Sequence, residues 1–124
     1  MIQMFLALLA IHWIADFVLQ THWQASNKSK NWWALTSHVL TYTTTLAILT
    51  ALAMIFIPGI VALTFPIWLG WIALNGVLHF AVDSVTSRIT SRLFGKDWHN
   101  FFVVVGFDQL LHYFCLIGTL LVFL

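Results

Sequence analysis

Four long apolar stretches separated by short polar links set the strongest limit on the fold. The predicted helices cover residues 2–20, 32–57, 62–90 and 99–123. A helix that crosses a bilayer needs about 20 predominantly apolar residues, and each stretch is close to that length. Membrane strands are not expected, because no segment shows the alternating pattern of a barrel. We therefore predict an all-α, integral membrane four-helix bundle, built as a single domain over residues 1–124.

The composition supports this class. The chain is 61% hydrophobic and 7% charged, whereas soluble domains carry about 25% charged residues. The lipid bilayer is therefore the expected partner. Nucleic acid is not expected, because five Lys and Arg side chains are too few to follow a phosphate backbone. Cys115 is the only cysteine, so no disulfide can form within the chain.

The distribution of basic residues predicts the orientation. All five lie in or beside the first and third links, at Lys28, Lys30, Arg88, Arg92 and Lys96. The positive-inside rule assigns those links to the cytoplasm and both termini to the non-cytoplasmic side. The expected location is a membrane, with a bacterial inner (cytoplasmic) membrane as the best fit. The same cations could hold a phosphate head group, although topology alone would also place them there.

Seven ionisable residues lie inside the apolar stretches and recur at helical spacing. They are His12, Asp16, His38, His79, Asp83, Asp108 and His112. Six of them form pairs four residues apart, which places both members of a pair on one helix face. Placing an Asp in the hydrocarbon region costs about 2.5–3.5 kcal/mol of insertion free energy. We therefore expect these side chains to pair with one another through hydrogen bonds and opposite charges. Counting along the alternating helices puts all seven at a similar depth, roughly 5–20 Å below the charged links.

Imidazoles and carboxylates that converge in a helical bundle are a common way to build a metal site. All seven residues are therefore predicted metal ligands. Nitrogen and oxygen donors suit a divalent ion, with Zn favoured and Mn or Fe as alternatives. Seven ligands exceed the needs of one tetrahedral ion, so two ions that share carboxylates are the natural extension. Gln20, Tyr42 and Gln109 are expected to orient the ligands from outside.

A divalent ion activates water at neutral pH and can hold the oxygens of a phosphoester. The leading hypothesis is therefore a membrane-embedded, metal-dependent hydrolase. It would cleave a phosphoester or similar bond in a lipid or phosphorylated membrane-associated substrate. Asp16, Asp83 and Asp108 are the candidate catalytic carboxylates, and one left free of the metal could act as general base.

Two other functions use the same residues. The first is proton or metal-ion transport, in a homo-oligomer because four short helices enclose little lumen. The exterior halves of the helices offer mainly Thr and Gln3, which favours a site open to one side over a channel. The second is a purely structural set of polar contacts between helices. In that case alanine at all seven positions would change stability alone.

The chain also resembles a known family. Residues 12–20, HWIADFVLQ, followed by Trp23 and Lys28, resemble the opening of a family of small multi-pass membrane proteins of bacteria and phages. His38, residues 79–83 (HFAVD) and residues 108–112 (DQLLH) look like its remaining blocks, so the resemblance covers nearly the whole chain. That family implies a membrane location and supplies no activity. A looser similarity, in the recurrence of His and Asp on successive helices, is to membrane-bound metal-dependent hydrolases, and it implies a metal centre.

Overall fold

A computed structural model of residues 1–124 shows an all-helical chain without strands, which confirms the all-α part of the prediction. Helix α1 spans Ile2–Trp13 and continues through a π-helical turn at Ile14–Val18. The remaining helices are α2 (His22–Asn27), α3 (Trp32–Phe56), α4 (Phe65–Leu93) and α5 (Trp98–Phe123). Helix α4 therefore extends beyond its predicted end at residue 90, and the first predicted helix is divided by the π turn.

Three of these helices are long and apolar enough to cross a membrane, judged by length and composition. They are α3, α4 and α5, with 25, 29 and 26 residues. The apolar segment Ile2–Val18 is shorter. Large apolar side chains cover the outer surface of the molecule, including Ile2 and Val122, which are 75% and 85% exposed. An outer surface of this kind suits lipid rather than water.

The helix ends follow local signals in the sequence. Asn31 caps α3 by accepting a hydrogen bond from the Trp33 backbone N–H at 2.8 Å. Asp97 caps α5 in the same way, accepting from the Asn100 N–H at 3.0 Å. This hydrogen bond from Asn100 lowers the pKa of Asp97 below its usual value. Gly95 precedes that cap with a φ of +74°, a conformation that favours glycine.

Helix α2 lies in the first link, where the sequence predicts only a polar connection between helices. Thr21 and Gln24 form a reciprocal capping box, in which each side chain accepts a hydrogen bond from the backbone N–H of the other. The Gln24 amide also donates to Ser37 Oγ at 2.9 Å and to Thr41 Oγ1 at 3.2 Å on α3. These contacts fix α2 against α3, and they therefore fix the position of Lys28, which caps the end of α2.

The hydrophobic core and the ionisable residues occupy different ends of the bundle. The core packs apolar side chains from four helices: Met4, Leu8, Leu46, Trp71, Leu116 and Leu120 are among its members. At that end the Gln3 side chain lies against Pro58 and Gly59 of the second link. The first and third links lie together at the opposite end. The ionisable residues are thus placed between the apolar core and the charged links.

Candidate metal centre

The seven ionisable residues form one cluster, hereafter the His/Asp cluster. His12 lies on α1, Asp16 on the π turn, His38 on α3, His79 and Asp83 on α4, and Asp108 and His112 on α5. All of them are buried except Asp108, whose side chain is 14% exposed. The π turn closes with a hydrogen bond from the Leu19 N–H to the Ile14 carbonyl at 3.0 Å. Such turns recur at functional sites, because they reorient a side chain within a helix.

Four ligand atoms converge between α3, α4 and the π turn. His38 Nε2 lies 3.1 Å from His79 Nε2, 3.1 Å from Asp16 Oδ1 and 3.2 Å from Asp83 Oδ2. His79 Nε2 lies 3.4 Å and 3.6 Å from the same two carboxylate oxygens. A tetrahedral Zn²⁺ with bonds of 2.0–2.2 Å holds its ligand atoms about 3.3–3.6 Å apart. The spacing of this four-ligand group therefore fits a small divalent ion.

One carboxylate oxygen in this group has no well-aligned hydrogen-bond donor. Asp16 Oδ1 is buried, and although His38 Nε2 and His79 Nε2 lie 3.1 Å and 3.4 Å away, neither is aligned to donate to it. A buried carboxylate oxygen without a donor or a cation is strongly unfavourable. A metal ion held by the four-ligand group would satisfy it. The buried His/Asp residues could thus hold a metal ion by both their spacing and their unmet bonding capacity.

The rings of the two imidazoles are supported unequally. The Nδ1 atoms of His38 and His79 are buried without a partner, so the hydrogen bonds that usually orient metal-binding histidines from behind are absent here. His79 is held by stacking instead. The Tyr42 ring lies 3.8 Å from its centroid and the His112 ring 4.1 Å, and both are nearly parallel to it.

A second group of ligand atoms adjoins the first. It consists of Asp16, Asp108 and His112. His112 Nε2 lies 3.4 Å from Asp108 Oδ1 and 3.1 Å from Asp83 Oδ1. Asp16 therefore belongs to both groups, and Asp83 presents one oxygen to each. This arrangement can hold two ions side by side with shared carboxylates, or one ion with a free carboxylate beside it.

His12 belongs to neither group, although its Nε2 lies 3.6 Å from Asp16 Oδ2. Its Nε2 contacts Gln109 Oε1 at 2.9 Å and its Nδ1 contacts the Tyr42 hydroxyl at 3.2 Å. The Gln109 amide nitrogen donates to Asp16 Oδ2 at 3.1 Å and to Asp108 Oδ2 at 3.0 Å. Because Gln109 Oε1 can only accept, His12 Nε2 carries the proton. His12, Tyr42 and Gln109 thus form a hydrogen-bonded chain that orients two carboxylates of the cluster.

Lys28, which the sequence pattern places in the charged links, is also a member of the site. Its Nζ donates to Asp83 Oδ2 at 2.8 Å, and its side chain is 18% exposed. Burial alone would lower the pKa of Lys28, but the carboxylates of Asp83 and Asp16 raise it above its usual value. The ammonium therefore stays charged. The capping-box pattern from Thr21 to Gln24 could have revealed α2, and with it the fixed position of Lys28.

A cavity of about 220 Å³, hereafter the inner cavity, borders the cluster. Its walls include Asp16, Asp83, Asp108, Lys28, Gln20 and Gln109. None of the imidazoles lines it, so a molecule in the inner cavity meets the carboxylates first. The Gln20 Oε1 atom is buried without a partner in this wall. Of the predicted orienting residues, Gln20 therefore faces the cavity, whereas Tyr42 and Gln109 contact cluster side chains.

These features define an all-helical protein with helices of membrane-spanning length and a buried His/Asp cluster that could hold a metal ion. The chain belongs to the family described as "Protein of unknown function (DUF3307)", whose sequence profile matches residues 4–124. No curated protein and no solved structure matches the chain.

Proposed function

We propose that the protein is a membrane-embedded, metal-dependent hydrolase of phosphoesters. Its ion would be held by Asp16, His38, His79 and Asp83. The observation that carries this proposal is the spacing of the four ligand atoms, in which five measured separations fall between 3.1 and 3.6 Å. These separations suit tetrahedral coordination by nitrogen and oxygen donors, and Zn²⁺ is the ion that most often adopts it.

The charge of Lys28 favours one ion over two. With the imidazoles of the cluster neutral, as metal ligands require, the three carboxylates carry three negative charges and Lys28 adds one positive charge. The remainder of two negative charges is neutralised by one divalent ion, as a site of low dielectric requires. A second ion would use Asp16, Asp108 and His112, and it would bind only when the Lys28 ammonium is withdrawn. The sequence-based expectation of two ions did not include Lys28.

The residues around the inner cavity suit the hydrolysis of a phosphoester. Four side-chain ligands would fill a tetrahedral shell, so the ion would need to accept a fifth ligand for a water to bind. In that state it would supply an activated water and polarise a phosphoryl oxygen. Asp108 is the most exposed of the three carboxylates, and it lines the inner cavity while Gln109 and Thr86 hold its two oxygens. Asp108 is therefore the proposed general base. It accepts the proton of the water whose oxygen bonds to phosphorus, the ester P–O bond breaks, and the leaving oxygen takes up a proton.

The arrangement of the cavities supports a hydrolase over the alternative of ion transport. The inner cavity lies on the side of the charged links, where its walls include Lys28 and Thr90. The other side of the cluster is filled by core side chains such as Leu8, Leu46 and Trp71. A transport pathway would need free polar groups or space through that core, whose buried Thr50 and Asn75 are already hydrogen-bonded to neighbouring groups. A site that takes substrate from one side needs neither.

The proposal includes four membrane spans. Segment Ile2–Val18 would be the fourth, at about 25 Å for 17 helical residues against a hydrocarbon core of about 30 Å. The basic residues of the first and third links would face the cytoplasm, with both termini on the other side. This orientation would open the inner cavity toward the cytoplasmic surface of a bacterial inner membrane.

Elemental analysis and a hydrolysis assay test the proposal on protein purified without chelator. We expect about one divalent ion per chain, by the charge argument, and cleavage of a chromogenic phosphoester that chelation abolishes. Asp83→Asn should lose the ion, whereas Asp108→Asn should retain it and lose roughly 100-fold or more of the activity. Ser84→Ala is the control, because Ser84 donates only to its own helix. Protein without metal, or hydrolysis that survives chelation, would refute the proposal.

A further inference from the structure

A second cavity, hereafter the outer cavity, adjoins the inner one on the side of the charged links. Its volume is about 560 Å³. Its walls come from α2 with the residues that follow it, from the last turns of α4, and from Phe94 and Phe101. The two cavities share Lys28, Ser87, Thr90 and Phe101. A molecule that reaches from the links to the His/Asp cluster would therefore occupy both.

The outer cavity is lined by cations and hydroxyl groups and by no carboxylate. Its polar walls are formed by His22, Ser26, Lys28, Ser29, Lys30, Ser87, Thr90 and Ser91. The remaining basic residues do not line it. Among them, Arg88 is engaged elsewhere, with its guanidinium 4.3 Å from the centroid of the Trp32 ring. A cavity that offers positive charge and hydroxyl donors matches the chemistry of an oxyanion.

The Ser87 hydroxyl is an unused hydrogen-bonding group in this wall. Ser87 is 8% exposed, and its Oγ has no hydrogen-bond partner. The neighbouring hydroxyls of Thr90 and Ser91 donate to carbonyls of their own helix. A buried hydroxyl without a partner is unfavourable unless a ligand completes it. Because Ser87 borders both cavities, such a ligand would lie at their junction, beside Lys28.

We propose that the outer cavity binds the second phosphoryl group of a diphosphate ester, whose reacting phosphoryl group lies in the inner cavity. The inference rests on the proposed function, because the inner cavity is assigned there to the reacting group. Each phosphoryl group brings negative charge and several acceptor oxygens. Lys28 borders both cavities and would contact both groups. Lys30 lines only the outer cavity and would contact only the outer group. The Ser87 hydroxyl has a single proton to donate, and at the junction it would donate it to an oxygen of the outer group. Both residues would therefore determine the preference for diphosphate over monophosphate.

The test measures the binding of inorganic pyrophosphate and of orthophosphate to the purified, metal-loaded full chain by titration calorimetry. We expect pyrophosphate to bind at least ten-fold more tightly. Ser87→Ala and Lys30→Met should each weaken pyrophosphate binding five-fold or more and leave orthophosphate binding unchanged. Ser84→Ala and Lys96→Met are the matched controls, because neither residue lines the inner or the outer cavity. Both variants should behave like the wild type, and elemental analysis after each titration verifies that the ion is retained.

A second arm uses an alkyl diphosphate in detergent micelles, with the alkyl monophosphate of equal chain length for comparison. A preference for diphosphate in this arm alone identifies a lipid-linked substrate, and a preference in both arms identifies the diphosphate group itself. Equal binding of diphosphate and monophosphate in both arms would overturn the inference, as would variants at Ser87 and Lys30 with unchanged affinity. Metal content and hydrolysis are measured separately. Loss of the diphosphate preference with intact metal and activity therefore contradicts this inference and leaves the proposed function standing.

Discussion

Replacing Lys28 by Met tests the charge balance of the cluster. The Lys28 ammonium lies 2.8 Å from Asp83 Oδ2, and an ion bound to that oxygen would lie about 2.0–2.2 Å from it. The ammonium and the ion would then be roughly 4–5 Å apart. At an effective dielectric constant of about 20, a single and a double positive charge at this distance repel each other by about 7 kcal/mol. Removing the ammonium should therefore strengthen metal binding.

The measured gain should be smaller than this repulsion, because Lys28 can relax. Its side chain is 18% exposed and borders both cavities, so the ammonium can move away as the ion enters. We expect Lys28→Met to bind Zn²⁺ at least ten-fold more tightly, which corresponds to about 1.4 kcal/mol or more. The ion content of the variant should rise from about one toward about two, because a single divalent ion would leave one of the three carboxylate charges unbalanced.

Competition between the protein and a fluorescent zinc chelator measures this affinity, and elemental analysis measures the stoichiometry. Lys30→Met is the matched control, since it removes the same charge from a residue that lines only the outer cavity. Its zinc affinity should stay within about three-fold of the wild type, because solvent and salt screen the more distant charge. Weaker zinc binding in Lys28→Met, or equal changes in both variants, would refute the assignment of Lys28 as a counter-charge.

Four further predictions concern packing, support and metal removal. Gly76→Ala should destabilise the fold by about 1–3 kcal/mol, because a Cβ there would lie 2.7 Å from Thr43 Oγ1. Gly70→Ala has open space within α4 and should not lower the melting temperature, because alanine favours a helix interior by up to about 1 kcal/mol over glycine. Gln24→Ala removes the capping box and the contacts of α2 with α3, so denaturation should show a loss of about 1–3 kcal/mol. Gln109→Leu should weaken zinc binding roughly 10–100-fold in the chelator competition, because the carboxylates lose their orienting donor. Chelation should lower the melting temperature, since an ion at 100 times its dissociation constant adds about 2.7 kcal/mol of stability. An unchanged melt with and without ion would contradict that last expectation.

The sequence was sufficient to predict the helical class and the three longest helices, because hydropathy and helix-ending residues report on them directly. The Pro58–Gly59 break and the capping residue Asn31 are local signals, and the structure ends and begins α3 beside them. The π turn was not predictable in this way. Residues 14–18 have the apolar composition of an ordinary membrane α-helix, so nothing in the sequence distinguishes the π turn from the helix around it.

The pairs at a spacing of four predicted which side chains would share a helix face, but not which atoms would meet between helices. Spacing alone treated His12 and His79 as equivalent, since each stands four residues before an Asp. In the structure His79 joins the four-ligand group, whereas His12 contacts Gln109 and Tyr42. This difference arises from helix rotation and interhelical distance, which no pattern within one helix encodes.

The position of the cluster within the bundle connects its energetics to its chemistry. A net charge of two negative units would be too costly within the apolar core, and at the surface water would screen it and weaken its hold on an ion. The boundary between the apolar core and the charged links has an intermediate polarity. The core below excludes water from the imidazoles, and the inner cavity above gives access to the carboxylates. Lys28 reaches across that cavity from α2, so it would neutralise part of the charge before an ion arrives and lie beside a substrate phosphate afterwards. Lys28, held in place by the contacts of α2 with α3, would thus both stabilise the empty site and contact an anionic substrate.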